Sequence, residues 1–125
     1  MDSQGTTEAA TLAVVYQFND AVNRHDLAAV AAVIADDILF ENTNPAPEGT
    51  RIQGKIAFLT WLEGWFASSP DAMFETEDAF AAGDRAVVRW VYRKARDGRP
   101  WHLRGVDVLA VTNGKLSAKR AYVKG

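Results

Sequence analysis

Two dipeptides, Asp97–Gly98 and Asn113–Gly114, constrain what this chain can fold into more than any other feature. Both residues of such a pair tolerate the positive φ of a type I′ turn, so each is the signature of a two-residue hairpin. The segments that flank them alternate apolar and polar residues, the period of strands with one buried face. The stretch from Gly83 to Val123 therefore reads as three antiparallel strands: Arg85 to Arg96, Trp101 to Val111 and Leu116 to Val123. A long strand from Met73 to Ala82 enters this meander through the turn Gly83–Asp84. Inside the otherwise apolar strand from Trp101 to Val111 stands one carboxylate, Asp107, and a buried carboxylate needs either a partner or a task.

The first turn fixes a register. A two-residue loop at Asp97–Gly98 sets Val88 opposite Asp107, Trp90 opposite Gly105, Tyr92 opposite Leu103 and Lys94 opposite Trp101, all on one face. Being the more aromatic face, it is expected to meet the rest of the protein, which puts Asp107 on an interior wall beside Trp90. The opposite face carries Arg89, Val91, Arg93, His102, Arg104, Val106 and Val108. Its arginines can pair with Glu75 and Glu77 on the neighbouring strand, and a mixed face of this kind also suits a homodimer interface. The second turn, as a strict two-residue loop at Asn113–Gly114, brings Arg120 opposite Asp107.

Upstream of the strands the period changes to that of helices. Leu12, Val15, Tyr16, Phe18 and Val22 recur at three- and four-residue spacing from Glu8 to about Asn23, after a polar N-terminus, residues 1–7, that is expected to be flexible. Asp26 is placed to N-cap a second helix from Leu27 to about Ile34, which Asp36 and Asp37 are expected to close. Ile38 to Asn42 suits a short strand, and TNPAPEG after it a loop. A third helix fits Gly54 to Ala67, with Ile56, Leu59, Trp61, Leu62, Trp65 and Phe66 spread too widely for a single stripe. Three helices followed by a meander give an α+β domain over residues 8–125, with the helices on one face of a curved sheet and a conical cavity between the layers.

Composition narrows the chemistry. A chain of 125 residues, 48% of them hydrophobic, is one domain with a modest core. A formal charge of −2, without a cluster of Lys and Arg among aromatics, argues against nucleic acid as a partner. The absence of cysteine excludes disulfides and thiolate chemistry, and two distant histidines, His25 before an N-cap and His102 on the outer face, argue against a metal site. There is no phosphate-binding glycine loop, dinucleotide fingerprint or Ser/His/Asp set, so no cofactor is expected. No segment has the length of a membrane span or the pattern of a signal peptide, and a cytoplasmic location is expected.

The order of elements, the phrase NRHDLAAVAAVIADDILFEN, the glycine at Gly54 opening a helix and the ending RGVDVLAVTNGKLSAKRAYV together resemble the nuclear transport factor 2-like superfamily, in particular its SnoaL-like and ketosteroid isomerase-like members. The resemblance implies a cone-shaped fold from about Thr11 to Val123, a fold that hosts many unrelated activities. In ketosteroid isomerases a protonated aspartic acid on the penultimate strand donates to the developing oxyanion, and Asp107 matches it. Their tyrosine donor on the first helix is matched by Phe18, with Tyr16 nearby, and their general base by Asn42, which cannot abstract a proton. Limonene epoxide hydrolases place Tyr and Asn on the short strand, where this chain has Phe40 and Asn42. Their sheet triad falls on Val88, Trp90 and Ala121, so it is absent. The resemblance also implies that Lys119 and Ala121 face inward, which sets Lys119 close to Asp107 in place of the Arg120 that a strict second turn would bring there. SnoaL-like polyketide cyclases lean on one acid/base aspartate, a pattern this chain can supply.

The candidate catalytic residues are therefore Asp107 and Asn42. The candidate pocket comprises Tyr16, Phe18, Phe40, Trp61, Val88, Trp90, Tyr92, Leu103 and Lys119, and the expected partner is a hydrophobic small molecule. Two functions remain open: a cofactor-free isomerase or cyclase in which Asp107 works on a carbonyl compound, and a non-catalytic ligand-binding or dimerisation module. An Asp107 free of cations favours the first, and a tight Asp107–Lys119 pair favours the second.

Overall fold

The computed structural model describes residues 3–124. Three helices, α1 (Ser3–Asn23), α2 (Leu27–Val33) and α3 (Lys55–Ser68), lie against a sheet of six strands. The strands are β1 (Ile34–Glu41), β2 (Arg51–Gln53), β3 (Met73–Ala82), β4 (Arg85–Arg96), β5 (Arg99–Thr112) and β6 (Lys115–Val123), in the spatial order β2-β1-β6-β5-β4-β3. All neighbours are antiparallel except β1 and β6. No helix among the described residues is long and apolar enough to cross a membrane.

Helix α1 begins at Ser3, earlier than the apolar period from Glu8 suggests; Met1 and Asp2 lie outside the described residues. Its inner stripe is Thr11, Val15, Phe18 and Val22, all buried. Tyr16 falls off that stripe and is 47% exposed. The chain leaves α1 through His25, which takes a left-handed φ of 54°, and Asp26 then caps α2 by accepting from the Ala29 amide at 3.0 Å. His25, expected in solvent, instead stacks on Phe66 with ring centroids 4.5 Å apart. The apolar faces of its ring find a partner as soon as α3 packs beside the corner. At the other end of α2, Lys55 and Lys115 donate to the carbonyls of Ala31 and Ala32, which the helix leaves unpaired.

One expectation needs correction here, and one strand was not foreseen. Asp36 and Asp37 do not end α2: they lie within β1, where the pairing with β6 is irregular between Ile34 and Leu39. Both remain exposed, so the irregular stretch keeps two charges in water while Ile34 and Ile38 on either side are buried. The segment Arg51–Gln53 is a strand, pairing with Leu39–Glu41. Three residues are too few to show a period.

The register of β4 on β5 is the one the Asp97–Gly98 turn dictates, with Val88 opposite Asp107 and Trp90 opposite Gly105. Between β5 and β6 the pairing starts as Thr112 with Lys115 and Val111 with Leu116, then jumps to Ala110 with Ala118. Ser117 is the extra residue of a bulge, and its hydroxyl is held by Thr112 at 2.9 Å and by the Ala110 carbonyl at 3.2 Å. Beyond the bulge Asp107 faces Ala121, so Lys119 turns to the inner face and Arg120 to the outer. Arg120 there meets Glu41 at 2.7 Å. Elsewhere on the outer face Arg93 pairs with Glu75 at 3.0 Å, and Arg104 pairs with Glu77.

Candidate functional site

Burial falls steadily along the inner row of β4, and this gradient shapes the site. Ala86, Val88 and Trp90 are buried, Tyr92 and Lys94 half-buried, and Arg96 exposed. The partner row on β5 runs the same way, from buried Leu109 and Asp107 to half-buried Leu103 and Trp101. Phe18 of α1 and Phe58, Trp61 and Trp65 of α3 line the space over these rows, with the ring centroids of Trp65 and Tyr92 6.0 Å apart. The result is a cavity of about 420 Å³, closed near Val88 and Asp107 and open at the β4–β5 hairpin. That volume is in the range of pockets for drug-sized molecules, roughly 300–1,000 Å³.

Its walls are aromatic. From the helices come Phe18, Phe58, Trp61 and Trp65, from β1 Phe40, and from the sheet Phe74, Trp90, Tyr92 and Trp101. Phe40 connects the layers, 5.0 Å from the Phe58 ring and 4.8 Å from Trp61. At the mouth Phe74 and Tyr92 pack with centroids 4.8 Å apart. Burial pushes the Tyr92 phenol above its ordinary pKa; hydrogen bonds with Ser69 and Trp65 oppose that shift and the charge of Asp71 adds to it. The indole N–H of Trp90 is buried with no hydrogen-bond partner among the described residues, a cost of about 1–3 kcal/mol unless a ligand or water oxygen meets it.

At the closed end Asp107, 3% exposed, lies 3.3 Å from the Nζ of Lys119. Lys119 also holds its ammonium 5.1 Å from the centroid of Phe40. The pair is enclosed on both sides, with 13% and 5% of the two side chains exposed, and both residues line the cavity. Asn42 lies on the wall one residue beyond Glu41, the last paired residue of β1. Its Oδ1 accepts from the Thr43 amide at 2.8 Å and its backbone N–H donates to Thr50 at 2.9 Å, so it serves the turn as well as the cavity. The side-chain amide hydrogens have no protein acceptor among the described residues. Gly49 makes this turn possible: its φ is 78°, and a Cβ there would overlap the Asn42 carbonyl oxygen.

The cavity brings together Asp107, Asn42, Phe18, Phe40, Trp61, Val88, Trp90, Tyr92, Leu103 and Lys119. Tyr16 does not belong to it; the residues α1 contributes are Phe18, Asn19 and Val22. Sequence reasoning did not assign Asn19, Phe58, Ser69, Phe74, Thr76, Lys94 and Arg96 to the pocket. For Lys94 and Arg96 the signal was present, because both continue the inner row of Val88, Trp90 and Tyr92. Among the described residues no three His, Asp or Glu side chains converge in a way that could hold a metal ion.

An α+β cone with an aromatic cavity and a single ion pair at its closed end defines a class of small-molecule-binding domains. The chain belongs to the SnoaL-like domain family, whose model matches residues 15–118. Comparison with the curated proteins returns no match. Among solved structures, an NTF2-like protein of unknown function from Mesorhizobium loti is 36% identical, with a TM-score of 0.81 over 94% of this chain and 93% of that one. A protein from Kribbella flavida provisionally named a ketosteroid isomerase has a TM-score of 0.78 at 21% identity, over 94% of this chain and 80% of that one. One from Sinorhizobium meliloti, provisionally named a polyketide cyclase, has a TM-score of 0.72 at 24% identity, over 87% and 93%. At such identities the last two speak for the fold alone.

Proposed function

We propose that the protein is a cytoplasmic, cofactor-free enzyme that moves a proton next to the carbonyl group of a hydrophobic small molecule, as in an isomerase or cyclase. The observation that carries this reading is the place of Asp107, buried yet among the residues that line the closed end of an aromatic cavity. At 3.3 Å its contact with Lys119 is longer than the roughly 2.7–2.9 Å of a tight charge-assisted pair, so the carboxylate is not locked against a ligand. In the reaction the Asp107 carboxylate removes a proton from the carbon beside the carbonyl. The electron pair of the C–H bond moves onto the carbonyl oxygen, and the Lys119 ammonium stabilises the enolate. Return of that proton from Asp107 to a different carbon of a delocalised enolate completes an isomerisation; attack of the enolate carbon on a second carbonyl, with the proton passing from Asp107 to the new alkoxide, gives an intramolecular aldol. Asn42 orients the ligand through its free amide hydrogens. With Phe18 and Asn42 at the positions matched to the isomerases' tyrosine and base, one carboxylate has to serve as both acid and base.

The test is deuterium uptake at the α-carbon of 2-tetralone in D2O, followed by NMR. The wild type is expected to accelerate exchange, and Asp107→Asn to lose at least about 100-fold of that acceleration, in line with general acid–base effects of 10²–10⁴. Wild-type exchange no faster than the buffer rate for this and other flat cyclic ketones sinks the reading.

The same ion pair favours a second reading, a carrier in which Asp107 and Lys119 neutralise each other and the cavity only sequesters its ligand. In that case ligands bind without exchange. The partner expected on the outer sheet face is a second copy of the chain: Val106, Val108 and Tyr122 form an apolar strip there, with Tyr122 55% exposed.

A further inference from the structure

The charged residues that line the cavity are Lys94, Arg96, Lys119 and Asp107. Three cations against one carboxylate leave the lining at +2, in a chain whose formal charge is −2. Lys119 is accounted for by Asp107. Lys94 and Arg96 have no ion pair among the described residues, and the Arg96 guanidinium instead lies 4.6 Å from the centroid of Trp101 at the mouth. Their alternation with Tyr92 and Trp90 along β4 aims both inwards, although each is long enough to have reached solvent from the other face. Asp71, the acid beside this strand, accepts from the Ala95 amide at 2.7 Å and forms no ion pair with either cation. The mouth therefore carries two uncommitted cations beside a flat aromatic ring.

We infer that the ligand is an amphipathic acid, an apolar body with an oxyanion at one end that is held by Lys94 and Arg96 at the cavity mouth. Lys94 lies opposite Trp101, six residues along β4 from Val88, which lies opposite Asp107. At about 3.3 Å per residue the two ends of the site are about 20 Å apart along the strand, and the lysine and arginine side chains shorten that span. The closed end, which under the function proposed above takes the carbonyl, is thus a different point from the one that takes the anion. The inference rests on that function only for the carbonyl end; the anion end stands on the free cations alone.

All four tryptophans, Trp61, Trp65, Trp90 and Trp101, line the cavity, so quenching of intrinsic fluorescence reads ligand binding directly. The probes are anthraquinone-2-carboxylate and its neutral carboxamide, a matched pair that differs in charge. The acid is expected to bind about 10-fold more tightly than the amide at low salt, with the preference shrinking as salt screens the exposed cations. Lys94→Gln/Arg96→Gln is expected to remove the preference while leaving amide affinity unchanged, which also shows that the pocket is intact. An acid that binds no better than the amide, or does not bind, overturns the inference. So does a preference that survives the double variant, or one that vanishes only in Lys119→Gln, because the anion then sits at the closed end. The preference is expected to persist in Asp107→Asn. If the wild type fails to accelerate tetralone exchange while the acid preference persists, the catalytic reading falls and this one stands; accelerated exchange without an acid preference separates them the other way.

Discussion

Trp90 lies across Gly105 on the neighbouring strand so closely that a Cβ on the glycine would come within 2.6 Å of Cη2 and Cζ2 of the indole. The missing side chain is the space the indole occupies, and the Tyr122 carbonyl oxygen, also 2.6 Å from that position, closes the other side. Gly105→Ala forces Trp90 into the cavity or spreads β5 from β6. We expect a loss of about 1–3 kcal/mol, the cost of overpacking a core, measured by urea unfolding, together with a shifted tryptophan emission spectrum. An unchanged spectrum and stability would show that the indole does not lie there.

The C-terminal end of helix α1 is fastened to β3 by an amide. Asn23 donates through Nδ2 to the Phe74 carbonyl and accepts through Oδ1 from the Phe74 N–H, both at 2.8 Å. Asn23→Ala leaves two backbone groups without partners at the edge strand beside the cavity mouth. The expected destabilisation is about 1–3 kcal/mol, with faster amide exchange at Phe74; replacement by Asp, which can accept but not donate, should recover part of it.

Alkaline pH should act through Tyr92. Burial holds its phenol above the ordinary value of 10.0. A folded-state pKa above the unfolded one means that this contribution is fully present below the unfolded value and is lost as pH rises through the folded value. Absorbance at 295 nm is expected to show one of the three tyrosines ionising later than free tyrosine, and Tyr92→Phe to remove that late step and flatten the decline of stability above pH 10. If the late step persists in Tyr92→Phe, the assignment is wrong.

Assembly tests the outer face. Sedimentation at micromolar concentration is expected to give a dimer, and Val108→Glu with Tyr122→Glu to give a monomer that keeps its cavity. A wild-type monomer contradicts the proposed partner and leaves Arg93–Glu75 and Arg104–Glu77 as solvated ion pairs, which contribute little to stability when exposed.

Local rules carried much of the architecture. Asp97–Gly98 determines the β4–β5 register because a two-residue turn leaves the strands one way to pair, so the positions of Val88, Trp90 and Tyr92 beside Asp107 follow from spacing alone. Asp26 caps α2 for an equally local reason, since its carboxylate reaches an amide three residues on. Tyr16 misled because on a helix a residue next to the buried stripe differs from one within it by a small rotation, and the packing partner decides which is covered.

The choice between Lys119 and Arg120 as Asp107's neighbour, by contrast, was not legible in the turn: its length alone points to Arg120, and Lys119 entered only through the family resemblance. A bulge adds one residue to a strand and reverses the facing of everything after it, and its energy depends on twist and on the hydrogen bonds that Ser117 finds across the sheet. Only the assembled sheet turned Lys119 inwards and sent Arg120 out to Glu41. The parallel pairing of β1 with β6 and the strand Arg51–Gln53 belong to the same class. They arise from contacts between segments far apart in the chain, which carry no local period. Residue order by itself determined an α+β cone with one carboxylate on its inner wall; the tertiary structure decided that this carboxylate has a lysine beside it and that two unpaired cations stand at the entrance.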